Sequence, residues 1–144
     1  SVFQGYWERP EETAKVLRDG WLVTGDLIRR DAEGYLYMCG RKREMIKTGG
    51  INVYPAEIEP VLMSYGKIDQ VAVVGIPDKE WGEKVVACVV PKEPMTETEV
   101  IDFLRDKLGG PKRPKNVVFM DKFPTNASGK VVKRELVEML TPKN

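Results

Sequence analysis

Two nearly continuous apolar runs, QVAVVGIP at residues 70–77 and KVVACVVP at 84–91, constrain this chain more than any other feature. A strand with one wet face alternates apolar and polar residues, so an unbroken apolar run of this length reads as a strand covered on both faces. Both runs are expected to be central strands, and the covering helices are legible on either side. Upstream, YPAEIEPVLMSYG begins at Pro55, places Ile58, Val61 and Leu62 at helical spacing and closes at Gly66. Pro60 lacks the N–H that would bond four residues back, which predicts a bend or a short first turn. Downstream, Thr96 and Glu99 make a capping box ahead of Val100, Ile101, Leu104 and Leu108, with Gly109 as the stop. NVVFMDKFP then reads as a strand, and VVKRELVEML as a helix with Val132, Leu136, Met139 and Leu140 on one side.

The first 42 residues are patterned differently. Pro10 and EETAKVL predict a short helix stopped by Asp19-Gly20. WLVTGDLIRR and YLYMCGRK flank a DAEG turn as the arms of an antiparallel hairpin do. Strand and helix alternate only after Arg41 to Glu44, so the class is α/β (α+β), with a boundary predicted at 41–44 between a hairpin piece, 1–42, and a small domain, 43–144. A chain of 144 residues has room for one ordinary core and a fragment more.

Composition removes several kinds of chemistry. With 23 basic and 22 acidic residues the formal charge is +1, so no global field draws nucleic acid or an anionic membrane. The apolar runs are far shorter than the roughly 20 residues of a membrane-spanning helix. Cys39 and Cys88 have neither CxxC spacing nor disulfide-scaffold density, and read as two buried free thiols of a cytoplasmic protein. The absence of histidine removes imidazole bases, Ser-His and Cys-His pairs and the commonest zinc ligand, and no metal site is expected. The opening SVFQGYW carries no targeting leader and reads as the middle of a longer polypeptide.

Five places can carry chemistry, each beside a plainer reading. Asp26, in a Thr-Gly-Asp triplet, can accept hydrogen bonds from vicinal hydroxyls or simply serve a turn. Arg41 suits ribose and phosphate oxygens, or is a solvated surface arginine. Gly49-Gly50 permits either a tight turn or close approach of a ligand, and Trp81 in a polar loop either packs or stacks. Gly129-Lys130 superficially looks like the end of a phosphate-binding P-loop. The upstream glycine is missing, however, and Val131 offers no hydroxyl to magnesium. On a flexible polar loop, Lys130 is instead a mobile point charge that can reach a carboxylate oxygen and a phosphate together.

FPTNASGKVVKR, residues 123–134, resembles the lysine loop of the acyl-adenylate-forming ligases. GRKREMIKTGGINVYPAEIE, 40–59, resembles their hinge, and GYWERPEETAKVLRDGWLVTGD, 5–26, resembles the end of their large N-terminal domain. The three segments stand in the family's order, so the chain is similar to the C-terminal part of an acyl-CoA ligase of the AMP-forming type. The resemblance implies a small C-terminal domain with a central β-sheet flanked by helices, preceded by a hairpin from the end of the large domain. It implies Lys130 as the catalytic lysine, Asp26 and Arg41 at ATP, and Arg43 at the hinge, where relatives usually carry Asp or Lys. For CoA it implies Gly49, Gly50, Trp81, Lys112 and Arg113, with Gly50 lining the pantetheine channel; Pro111 stands where relatives often have Tyr or Phe. The implied substrates and cofactors are a carboxylic acid, ATP, CoA and Mg2+, the acid being a medium- or long-chain fatty acid. The implied partner is the chain's own N-terminal domain, without which the fragment is expected to be inactive. Two other readings stay open: an adenylation domain feeding a carrier protein or a luciferase-like enzyme, and a module binding an anion or RNA through Arg105, Lys107, Lys112, Arg113 and Lys115.

Overall fold

The structure is a computed structural model that describes residues 3–142; Ser1 and Val2, where the opening segment begins, lie outside it. The chain forms α1 (Pro10–Val16), two short hairpins, β1 (Leu17–Arg18) with β2 (Trp21–Leu22) and β3 (Asp26–Arg30) with β4 (Leu36–Arg41), and then a mixed α/β unit. That unit contains β5 (Ile46–Thr48), β6 (Ile51–Val53), α2 (Pro55–Met63), β7 (Ile68–Asp78), β8 (Gly82–Pro91), α3 (Glu97–Arg105), β9 (Asn116–Phe119) and α4 (Lys133–Leu140).

The two apolar runs are β7 and β8, paired antiparallel from Ile68↔Pro91 to Asp78↔Gly82. The Asp78 carboxylate closes their turn by accepting from the N–H groups of Glu80 and Trp81. β8 is central: β9 runs parallel to it along its other edge, and β5 meets that strand at Thr48↔Gly82. β7, expected to be central as well, is an edge of the sheet among the described residues. Its apolar pattern reports coverage of its faces, not its lateral position. Val73 joins Ile58, Leu62, Val100 and Leu104 on the α2 and α3 side, while Val74 and Ile76 join Phe123 and Leu136 on the α4 side. Helices on both faces make the run continuous even where no strand lies alongside.

Other boundaries moved for local reasons. α1 ends at Val16, and Asp19-Gly20, expected to stop the helix, forms the turn of the β1–β2 hairpin with positive φ at both residues. α2 continues through Pro60; the carbonyl left without its usual donor belongs to exposed Ala56, where water can replace it. The Thr96–Glu99 capping box is present, but α3 ends at Arg105, short of Gly109, and Leu108 packs on the core from beyond it. Cys88 is buried at the sheet centre, its thiol pushed up to about 11 by desolvation, whereas Cys39 is only partly covered. No residue from 3 to 45 is buried; the core begins at Ile46. Among the described residues no helix is long and apolar enough to cross a membrane.

Candidate functional site

Asp26 opens β3 and Arg41 closes β4, directly across the hairpin from it. Register alone brings the two together, and Arg41 Nε lies 3.3 Å from Asp26 Oδ1. The Thr24 hydroxyl accepts the Asp26 N–H at 3.1 Å, which holds the Thr-Gly-Asp bend ahead of the strand. The carboxylate and guanidinium expected to face a nucleotide are therefore already neighbours, and each limits the other's rotamers.

A second group forms around the β5–β6 turn. Gly49 and Gly50 are its two central residues, with φ of +56° and +78°, the requirement of a type I′ hairpin. The two glycines are not equivalent. A Cβ on Gly49 would stand 2.9 Å from Cε3 of Trp81, whereas one on Gly50 would meet nothing within 4 Å. Gly49 N–H also donates to the Trp81 backbone carbonyl at 2.9 Å, which ties the turn to the loop that carries the indole. Lys115 Nζ lies 4.4 Å from the Trp81 ring centroid, a cation–π distance.

Of the basic residues expected near this group, Lys112 is paired with Glu57 of α2 and Arg113 is half-buried with no ion pair among the described residues. Lys115 instead stands on the indole, a role that no spacing in PKRPK distinguishes. Of the other cations in the anion- or RNA-binding reading, Arg105 pairs with Asp102 and Lys107 lies 4.5 Å from the Phe103 ring centroid, so all of that set but Arg113 have a partner among the described residues.

The Lys130 segment differs from the flexible loop expected. Asn126 Oδ1 accepts from the N–H and hydroxyl of Ser128 and from the N–H of Lys130, at 3.0, 2.8 and 2.9 Å. Asn126 and Lys130 also bond through their backbones, Thr125 bridges Val131, and Gly129 turns the chain at φ +78°. The result is a closed turn with Lys130 exposed at its end, in no ion pair among the described residues. Mobility at this site belongs to the lysine side chain, because the backbone beneath it is bonded. Asn126 was not singled out from the sequence, although an Asx residue ahead of Ser-Gly is a recognisable turn signal. Arg43, in a 3₁₀ turn over Lys42–Glu44, is exposed and lines a cleft of about 630 Å³ with Asn126 and Val131 beside the lysine turn.

The AMP-binding enzyme C-terminal domain family matches residues 57–130. The chain belongs to that family. The match to this C-terminal domain ends on Lys130 and takes in Trp81, Lys112 and Arg113, while Asp26, Arg41, Arg43 and the glycine pair lie ahead of it. Beyond the matched stretch, the chain is 46% identical over 138 residues to a feruloyl-CoA synthase of Amycolatopsis sp., covering 94% of this chain and 28% of the relative. To a long-chain-fatty-acid–CoA ligase of Bacillus subtilis it is 45% identical over 139 residues, 95% of this chain and 25% of that enzyme. An o-succinylbenzoate CoA synthetase from Bacillus subtilis, solved with its acyl-adenylate intermediate, superposes with a TM-score of 0.87 at 36% identity, over 94% of this chain and 28% of that one. The same enzyme solved with ATP and magnesium gives 0.85. The chain thus spans about a quarter of the length of these relatives, and they differ in the acid they are named for. Among the described residues no group of three or more His, Cys, Asp or Glu is placed to hold a metal. The donor set does not fit magnesium by itself, whereas Asp26 and Arg41 suit a nucleotide's hydroxyl and phosphate oxygens.

Proposed function

We propose that this chain is the C-terminal part of an ATP-dependent acyl-CoA ligase, in which a carboxylic acid is activated as an acyl-adenylate and then transferred to CoA. The observation that carries the reading is Lys130: an exposed, unpaired ammonium on a closed turn, at the end of the family match. An ammonium held this way stabilises negative charge as a carboxylate oxygen joins an α-phosphate, and needs no proton transfer. Asp26 and Arg41 would hold the nucleotide, and residues 1–42 would belong to the end of the large domain. Rotation about Arg43 would then exchange the lysine turn for the Gly49-Gly50 turn. The open side of Gly50 leaves room for a thin pantetheine arm, and Trp81 with Lys115 offers a face and a charge to a nucleotide end, whose phosphates Lys112 and Arg113 would meet. Mg2+ would be held largely by residues outside this chain. The finer reading, a fatty acid as substrate in a cytoplasmic setting, rests on the fatty-acid ligase among the relatives.

Pyrophosphate exchange by the full-length ligase, run over aromatic acids and fatty acids of graded length, tests both levels. Exchange with any acid supports adenylation, and a preference for long chains supports the finer reading. Lys130→Ala is expected to lower exchange by roughly 100-fold or more while sparing thioester formation from preformed acyl-adenylate. Equal loss of both half-reactions would remove Lys130 from the role given to it.

A further inference from the structure

The hydrogen bonds within the lysine turn set its shape but not its place relative to the segment that enters the sheet. Phe123, Val131 and Leu136 seat the turn on one face of the sheet, and its tie to the entering segment comes from Lys133, the first residue of α4, whose Nζ lies 2.9 Å from Glu44 Oε2 and 2.8 Å from Glu59 Oε1. All three side chains are mostly covered, the lysine and Glu59 at 24% exposure and Glu44 at 31%. Glu59 Oε1 also accepts the N–H of Val73 at 2.8 Å, on the edge of β7 that pairs with no strand among the described residues. One ammonium thus ties the 3₁₀ turn at Lys42–Glu44, the helix α2 and the sheet edge to the start of α4, three residues past Lys130.

The other side of the 3₁₀ turn is tied elsewhere: Lys42 N–H donates to the carbonyl of Gly25, ahead of the β3–β4 hairpin. Lys42 is therefore held to the first part of the chain and Glu44 to the second, with exposed Arg43 between them.

The structure assigns Lys133 as a positioning residue, a clasp that makes Glu44 the first fixed residue of the α/β unit and sets where the Lys130 turn stands with respect to the joint. Resting on the function proposed above, this clasp serves adenylation, the step that uses Lys130. The β5–β6 turn is held separately, by Ile46 in the core and by the Gly49–Trp81 hydrogen bond, and does not depend on it.

The test uses Lys133→Met and Lys133→Arg in the full-length ligase, read two ways. Hydrogen exchange should rise at residues 43–46 and 130–134 in Lys133→Met and return toward the parent level in Lys133→Arg. The rate of adenylation at saturating substrates should fall roughly 10- to 100-fold in Lys133→Met, with KM for ATP and acid little changed. Lys133→Arg should recover most of that loss, and thioester formation from acyl-adenylate should be spared. A general loss of folding would depress both half-reactions together, and that outcome overturns the assignment, as does unchanged exchange at 43–46. If the parent enzyme adenylates no acid at all, the functional reading fails, and the exchange measurement alone decides the clasp.

Discussion

Thr96 and Glu99 show how much a pair of side chains at the right spacing can determine. The Thr96 hydroxyl accepts from Glu99 N–H, and the Glu99 carboxylate accepts from Thr96 N–H at 2.7 Å, so two orphan donors of α3 are satisfied at once. The Thr96 backbone N–H first, and second the Thr96 hydroxyl, which also donates to the same carboxylate at 3.0 Å, hold the Glu99 carboxyl below its ordinary 4.5. A depressed folded-state value means the contribution is present above the unfolded pKa and disappears as pH falls through the folded one. Thermal melts of the chain between pH 7 and pH 3 should therefore show a smaller acid-induced drop for Glu99→Gln than for the parent, and identical slopes would refute the assignment. This pair was legible because everything it needs lies within four residues. Asn126 and Lys133 were not singled out, because their meaning depends on partners that only the fold supplies. Asn126 sits among the unremarked positions of the lysine motif, and Lys133 reaches Glu44 and Glu59 from far along the chain.

Among the elements, the β5–β6 hairpin separates two glycines that read alike in the sequence. Both need positive φ, and an L-residue there costs roughly 1–2 kcal/mol. Only Gly49 has the Trp81 ring where its Cβ would go, so the indole must shift as well. Gly50→Ala is expected to destabilise the chain by about that strain alone and Gly49→Ala by clearly more, as judged from urea midpoints. Equal costs would mean that Trp81 moves aside freely. In the full-length protein, the proposed function and channel make Gly50→Ala the more damaging of the two for thioester formation relative to its effect on stability. Periodicity made most strands and helices readable here, since β7 and β8 bury nearly continuous runs and α3 buries Val100 and Leu104 at helical spacing; on α4 it overreached, because Leu136 is buried but Met139, read onto the same side, is 62% exposed. It did not show that β7 is an edge, because lateral partners leave no mark on the alternation of faces. Nor did it show the β1–β2 hairpin, which is too short to carry any period.

At the scale of the whole molecule, the uneven distribution of burial matters most. The α/β unit has apolar clusters on both faces of its sheet, whereas nothing from residue 3 to 45 is buried and Trp7 and Trp21 are 88% and 77% exposed. Stability is therefore local: backbone hydrogen bonds in the first part are protected by little covered surface, and those of β8 lie beneath two layers of side chains. In hydrogen exchange on the isolated chain, amides of β3 and β4 are expected to exchange by local opening, orders of magnitude faster than those of residues 85–90, which open only with the unit as a whole. The same imbalance bears on activity. Lys130 is exposed, and Asp26 and Arg41 sit on the poorly protected hairpin, so the charges that would meet at ATP are not held around a water-excluded space. The isolated chain is accordingly expected to form no acyl-CoA from ATP, a carboxylic acid and CoA. Turnover by this chain alone, with the hairpin amides protected as well as those of β8, would show that the first 42 residues carry a site of their own and would remove the need for the part of the relatives' length that this chain does not match.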